Sequence, residues 1–353
     1  MRKLAFAFTQ LHLLNLINLR TSLYRNDEMD LIAFSPKGTG AMEVVKRAEE
    51  KGVFNRVLIM DNYYPQAKGI NKIYYRLLEM FVAVKNKREI KKFLGGNNYD
   101  EFLTYGSNME AYMAYTIASQ KNRVKMVFYE EGIGTYTERI TYALKPWHTL
   151  LLKSQRIKIP ALPDELYVYV PEMIVTPIPR CITVKKIPTL SNIETINELW
   201  NYTGGTIELQ YKSILLEEPV DNNEWQIKAF HAFNKNSSAI KMHPRSLNKQ
   251  LYSDMHFFDN TGLMWEIYCM NCCDLSHHVF VSEYSTACFT PKCLLGEEPI
   301  VIFTAGIYEA KEVSYSTLQT IISKFRESYN DKSRVLLPRS YEELKEMIKE
   351  LKC

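Results

Sequence analysis

The sequence contains no run of the roughly 18 to 20 apolar residues that a helix needs to cross a bilayer. A spanning segment is therefore not expected. The opening MRKLAFAFTQLHLLNLINLR has the positive start of a signal peptide, but Thr9, Gln10, His12 and Asn15 interrupt its apolar stretch and no small-residue cleavage site follows. Cysteine is scarce and odd in number: there are seven, three of them in Cys269-Met270-Asn271-Cys272-Cys273, which is not the pattern of a secreted disulfide framework. That places the chain in a reducing compartment, hence an expected cytoplasmic location. A strong excess of one charge is also missing. Forty-four Lys and Arg against forty Asp and Glu leave +4, too little to argue for nucleic acid, although a basic face resting on an anionic membrane stays compatible with it. Internal repeats and low-complexity tracts are absent.

What is present is a globular composition. With 353 residues and 46% hydrophobic content the chain is too long for one ordinary core and short for three, so two domains are expected. Along the first half, apolar runs at Lys3–Phe8, Leu31–Phe34, Arg56–Met60, Glu101–Thr104 and Val124–Tyr129 read as strands. Between them, helical spacing covers Leu11–Leu19, a stretch ending near Gly52, Ile73–Phe93 and Asn108–Ser119. Strands alternating with helices predict a parallel sheet covered on both faces, an α/β Rossmann-like layer. A Pro-rich stretch, Pro160–Pro188, reads as irregular. Beyond it the pattern returns: strands Ser213–Leu216, Ala239–Met242, His278–Val281 and Ile300–Thr304, with helices Glu224–Phe233, Gly262–Cys269, Ser316–Tyr329 and Tyr341–Leu351.

Three short motifs follow predicted strands. Glu130-Glu131-Gly132-Ile133-Gly134-Thr135 puts adjacent carboxylates and glycines at a strand end, where a carboxylate can take the proton of an attacking hydroxyl. Its bland reading is an acidic turn. In Lys241-Met242-His243-Pro244-Arg245 the imidazole can donate to a departing phosphate while Lys241 and Arg245 add positive charge; the bland reading is a satisfied strand-end histidine. Ser282-Glu283-Tyr284-Ser285-Thr286 offers hydroxyls and backbone N–H groups to a phosphate, or merely a helix cap.

Other patterns carry less. Cys269, Cys272, Cys273, His277 and His278 hint at zinc, but the histidines are adjacent and no second Cys pair stands at finger spacing, so ordinary core cysteines are expected. Ser35-Pro36-Lys37-Gly38-Thr39-Gly40 lacks Walker spacing and reads as a strand-to-helix turn. Thr9, Gln10 and His12, just past the first strand, are further candidates to face a ligand. Tyr142–Lys158, with Trp147 and Lys153, reads as a solvated loop, with contact to anionic lipid as its functional alternative.

Taken in order, the acidic-Gly, His-Pro and Ser-Thr motifs resemble those of the bacterial GT-B sialyltransferase superfamily. The similarity is greatest to the lipooligosaccharide and capsule sialyltransferases of glycosyltransferase family 52 and their polysialyltransferase relatives. The resemblance implies a GT-B fold, two Rossmann-like domains with a cleft between them: residues 1–190 on the acceptor side with the base, and residues 191–353 binding the CMP-sugar donor. It implies that Glu131 is the base and that Glu130 and Gly132 shape its surroundings. It also implies that His243 assists CMP departure, that Pro244 lies near the cytosine, and that Ser285 and Thr286 hold the phosphate. Glu266, in Gly262-Leu263-Met264-Trp265-Glu266, matches the family's ribose-binding carboxylate more loosely; a solvated helical Glu is the competing reading. The implied reaction is inverting transfer of sialic acid from CMP-sialic acid to a sugar hydroxyl of a bacterial surface glycan, on an acceptor that lipid linkage would suit. No cofactor and no metal are expected, in keeping with the absence of an Asp-x-Asp motif. Repeated addition, a different donor such as CMP-Kdo, and a non-catalytic nucleotide-sugar-binding scaffold are the alternatives. Oligomeric state is open, a homodimer included.

Overall fold

A computed structural model of the chain describes residues 1–34, 41–60, 72–106, 108–137, 144–218, 224–243, 246, 249–258, 263–307 and 315–353. The turn read at Ser35–Gly40 lies outside them. The chain forms two compact units. The first comprises Met1–Glu131, Glu138–Tyr169 and Ile178–Tyr202; the second comprises Gly132–Thr137, Val170–Pro177 and Thr203–Cys353.

In the first unit, strands β1 (Arg2–Ala7), β2 (Glu28–Phe34), β3 (Arg56–Met60), β4 (Glu101–Thr104), β5 (Lys125–Tyr129), β6 (Glu165–Val168) and β7 (Thr183–Lys186) make one sheet in the order β3-β2-β1-β4-β5-β6-β7. Every pairing is parallel. Parallel neighbours need a crossover, and helices α1 (Gln10–Thr21), α2 (Ala41–Glu50), α3 (Lys72–Leu94), α4 (Met109–Ala118) and α6 (Pro146–Ser154) supply it, with α7 (Ile193–Leu199) packing on α2. Because helices cover both faces, the central strands are apolar without alternation: Leu4, Ala5, Phe6, Leu31, Ile32, Phe102, Leu103 and Val127 have no exposed surface. The opening run lies within this unit as β1 and α1. Asn15 and Asn18, polar interruptions of the apolar stretch, are buried and bonded: Asn15 Nδ2 donates to the Glu130 carbonyl at 2.7 Å and Asn18 Nδ2 to the Pro188 carbonyl at 2.8 Å.

Two expectations fail here. Pro160–Pro188 is not irregular throughout, since it contains β6 and β7. Each is only four residues long, and β7 is an edge strand with exposed lysines, so neither shows a long apolar run. Nor are the described residues of Tyr142–Lys158, 144–158, a plain loop: α6 starts with Pro146 in its first turn, where the missing N–H costs nothing.

In the second unit, strands β8 (Ser213–Leu216), β9 (Ser238–Lys241), β10 (His256–Phe257), β11 (Val279–Ser282), β12 (Ile300–Phe303) and β13 (Val335–Leu336) pair in the order β10-β9-β8-β11-β12-β13, again all parallel. Helices α8 (Glu224–Phe230), α9 (Trp265–Asn271), α10 (Thr286–Thr290), α11 (Tyr315–Glu327) and α12 (Tyr341–Leu351) accompany it, as does α5 (Gly134–Thr137), which follows β5 in the sequence. Leu215, Ile240, Val279, Val281 and Ile302 meet Phe230, Tyr252, Leu344 and Ile348 in one core. Within each sheet the strand order reverses once, between β1 and β4 and between β8 and β11. Such reversals are where doubly wound sheets open a crevice beyond their carboxyl ends.

Candidate active site

At the reversal in the first unit, β1 runs into α1 through a capping box. The Thr9 hydroxyl accepts from the His12 N–H at 3.2 Å, and the His12 imidazole returns toward the cap backbone. His12 Nδ1 accepts from the Phe8 and Thr9 N–H groups at 3.2 and 3.3 Å, which assigns the ring proton to Nε2. The ring stacks on Tyr105, just past β4, with centroids 3.8 Å apart. Nε2 then stands 3.9 Å from Glu131 Oε2, beyond a direct hydrogen bond. Although that distance would suit an ion pair, burial pushes the His12 pKa down to about 3, so at neutral pH the ring presents a neutral N–H to the carboxylate. Burial, and next the Glu131 charge, push the Tyr105 phenol upward. Gln10 Oε1 accepts from Trp200 Nε1 at 2.9 Å, a role within the fold.

The two carboxylates after β5 differ sharply. Glu130 is buried: its N–H donates to the Tyr167 carbonyl at 2.9 Å, and its Oε2 accepts from the Tyr169 N–H at 2.8 Å. It fastens the end of β5 to the chain leaving β6. Glu131, the next residue, keeps 26% of its side chain exposed. Of the pair, Glu131 is the carboxylate that a ligand can reach.

Gly132 opens the segment that folds with the second unit. Its φ of +132° disfavours any side chain, and a Cβ there would come within 3.0 Å of the Thr286 methyl carbon. The Ile133 N–H donates to Thr286 Oγ1 at 3.3 Å, so the acidic motif's glycine turn and the Ser-Thr motif are held together. Ser285 caps α10, its hydroxyl accepting from the Ala287 N–H at 3.4 Å.

The second unit's reversal holds a pair that sequence reasoning passed over, Glu217 and Glu218 directly after β8. Glu217 Oε2 accepts from the His243 N–H at 2.9 Å and its Oε1 from the Ser246 hydroxyl at 2.6 Å. Glu218 Oε1 accepts from the Ser282 hydroxyl at 2.6 Å and the Tyr284 N–H at 2.7 Å, while Ser282 Oγ accepts from the Ser285 N–H at 2.9 Å. One acidic pair therefore anchors both the His-Pro and the Ser-Thr loops. The signal that could have found it is the one used at Glu130-Glu131: two carboxylates at the end of a fully apolar strand.

Burial raises the Glu218 pKa to about 7, against the pull of the Ser282 hydroxyl and the Tyr284 N–H. Between about pH 4.5 and 7 the folded protein thus keeps a proton that the unfolded chain has released. Stability contributed by this group falls as pH rises through that window. Glu218→Gln cannot ionise, so its urea midpoint should decline less than wild type's between about pH 5 and pH 8. Equal declines would contradict the assignment.

Lys241 ends β9 with Nζ 5.9 Å above the Tyr268 ring on α9. Glu266, on the same helix, is buried, which corrects the solvated alternative. Burial raises its pKa, opposed by its own backbone N–H, the Lys241 charge and the Thr290 hydroxyl. The structure thus gathers Lys241, Glu266, Thr286 and Ser285 around α9 and α10, with His243 tied in through Glu217. Pro244 and Arg245 lie outside the described residues. Cys269 is a buried core residue, and no group of three or more metal-ligating side chains occurs among the described residues. Also among them, no helix is long and apolar enough to cross a membrane.

No family model matches the sequence, and no curated protein does. Solved structures do match over nearly its whole length. The glycosyltransferase SnogD from Streptomyces nogalater aligns with a TM-score of 0.55 and 8% identity over 99% of this chain and 100% of its own. The glycotransferase of kitacinnamycin gives 0.54 and 11% over 99% and 90%. Arabidopsis thaliana UGT89C1, complexed with quercetin, gives 0.54 and 10% over the same shares. These similarities establish the fold: α/β, of the GT-B type, with two Rossmann-like sheets.

Proposed function

We propose that the protein is an inverting glycosyltransferase that moves sialic acid from CMP-sialic acid to a sugar hydroxyl of a bacterial surface glycan, lipooligosaccharide or capsule. The observation that carries this is the division of labour after β5: Glu130 is consumed by the fold, while Glu131 is left accessible beside a neutral His12 N–H. It is supported by the glycosyltransferase fold and by the order of the acidic-Gly, His-Pro and Ser-Thr motifs.

In the proposed reaction the acceptor oxygen bonds to the anomeric carbon and its proton passes to Glu131. The bond from that carbon to the phosphate breaks, and CMP leaves with the electron pair. Lys241, Arg245 and His243 offset the charge gathering on the phosphate, and Ser285 and Thr286 add hydroxyls and N–H groups. Pro244 lies against the cytosine and Glu266 takes the ribose hydroxyls. Glu217 and Glu218 hold these loops without facing the phosphate as free anions, since their oxygens already accept protein donors. No metal is needed in this scheme, because the leaving group is a phosphate monoester that protein donors can stabilise.

The test is to incubate purified protein with CMP-sialic acid, CMP-Kdo or UDP-glucose and a panel of galactose- and sialic-acid-terminated acceptors, following nucleotide release and product mass. Acceptor-dependent CMP release with a gain of one sialic acid supports the proposal, and successive gains mark a polymerase. Turnover of CMP-Kdo or UDP-glucose alone, or CMP binding with neither transfer nor donor hydrolysis, sinks it.

A further inference from the structure

Helix α3 carries an unusual exposed face. Tyr74, Leu77, Phe81 and Val84 fall three or four residues apart, hence on one side of the helix, and all are exposed, Phe81 at 74%. Four large apolar residues in a row on solvent are costly to leave unpartnered and mark an interaction surface. Helix α6 lies alongside. Glu79, buried in α3, accepts from Trp147 Nε1 at 3.0 Å and stands 3.2 Å from His148 Nε2, while the Arg76 guanidinium sits 5.0 Å from the centre of the Trp147 ring. From α6, Leu150 adds a side chain that is 60% exposed.

Charge decides what fits there. The exposed face of α3 continues beyond Val84 as Lys85, Arg88, Lys91 and Lys92, and the α6 segment adds exposed Lys153 and Arg156. The two carboxylates of α3 leave an excess of positive charge: Glu79 is turned inward, and Glu89, its side chain 41% exposed, stands 3.8 Å from Lys85. Between 144 and 158 there is no Asp or Glu at all. A second copy of the chain pairing through this face would bring these six cations against six more, with Glu89 as the one outward carboxylate that α3 and α6 of each copy could offer in reply. An anionic bilayer answers both features, taking the apolar side chains at the depth of the headgroups and the cations at the phosphates.

We propose that the α3–α6 face is a docking surface for an anionic lipid bilayer, which it engages peripherally. The inference stands on the first unit alone and does not depend on the identity of the sugar donor.

The experiment is co-sedimentation of the full chain with phosphatidylcholine vesicles and with phosphatidylcholine–phosphatidylglycerol vesicles, alongside sedimentation velocity of the free protein. Wild type should bind the anionic vesicles and not the neutral ones, and high salt should release it. Lys85→Ala combined with Arg88→Ala should weaken binding about thirtyfold, from the usual contribution of two basic residues near a charged surface. Leu77→Ser combined with Phe81→Ser should also weaken it. All four side chains are exposed, so an unchanged circular dichroism spectrum is expected for both variants. Failure of wild type to bind anionic vesicles, or binding by both variants as tight as wild type's, overturns the proposal. A wild-type dimer that the Leu77→Ser, Phe81→Ser variant converts to monomer would assign the face to a second copy instead and overturn it equally.

Discussion

Glu131→Gln should abolish nearly all transfer, lowering kcat by about 10²- to 10⁴-fold, the usual contribution of a positioned general base. Gln has the shape of Glu but cannot take the acceptor's proton. The side chain is partly exposed and Gln keeps its size, so the melting temperature should change little. Glu130→Gln is the contrasting variant. Its Oε1 and Oε2 sites become an amide, one end of which can still accept from the Tyr169 N–H, so kcat should fall far less, with the loss appearing mainly in stability. Acceptor-dependent CMP release by the two variants, with melting temperatures, separates the roles. If Glu130→Gln were the inactive protein and Glu131→Gln the active one, the assignment of the base would be wrong.

His243→Ala should cost about 10²- to 10³-fold in kcat, comparable with removing one donor aimed at developing negative charge. Alanine keeps the backbone N–H that Glu217 accepts, so the loop should stay in place and CMP affinity should change less than kcat. Glu217→Ala attacks the same loop from the other side: it removes the carboxylate that accepts from both the His243 N–H and the Ser246 hydroxyl, and should raise the donor KM as well. Steady-state kinetics with CMP-sialic acid as the varied substrate check both. An unchanged kcat in His243→Ala would remove that residue from the reaction.

Much of the fold was legible because buried parallel strands are written as short continuous apolar runs. Arg56–Met60, Glu101–Thr104 and Ser213–Leu216 were read to the residue, as was the amphipathic helix Tyr341–Leu351. β6 and β7 were hidden among prolines that cut them to four residues, and β10 and β13, of two residues each, carry no periodicity to detect. At the site, sequence named the acid pair but could not say from spacing which carboxylate turns inward. That is decided by the Tyr169 N–H, 39 residues away from Glu130. Glu217-Glu218 went unread although it repeats the same signature, because no motif surrounds it. The Gln10–Trp200 hydrogen bond, spanning 190 residues, has no local trace in the sequence.

A single displacement at the anomeric carbon, with Glu131 taking the proton, fixes the stereochemistry of the product. Proton NMR of the first product formed from CMP-sialic acid should show the anomeric configuration opposite to the donor's. Retention of the donor's configuration would require a double displacement or attack from the leaving group's own face, and either would contradict the account.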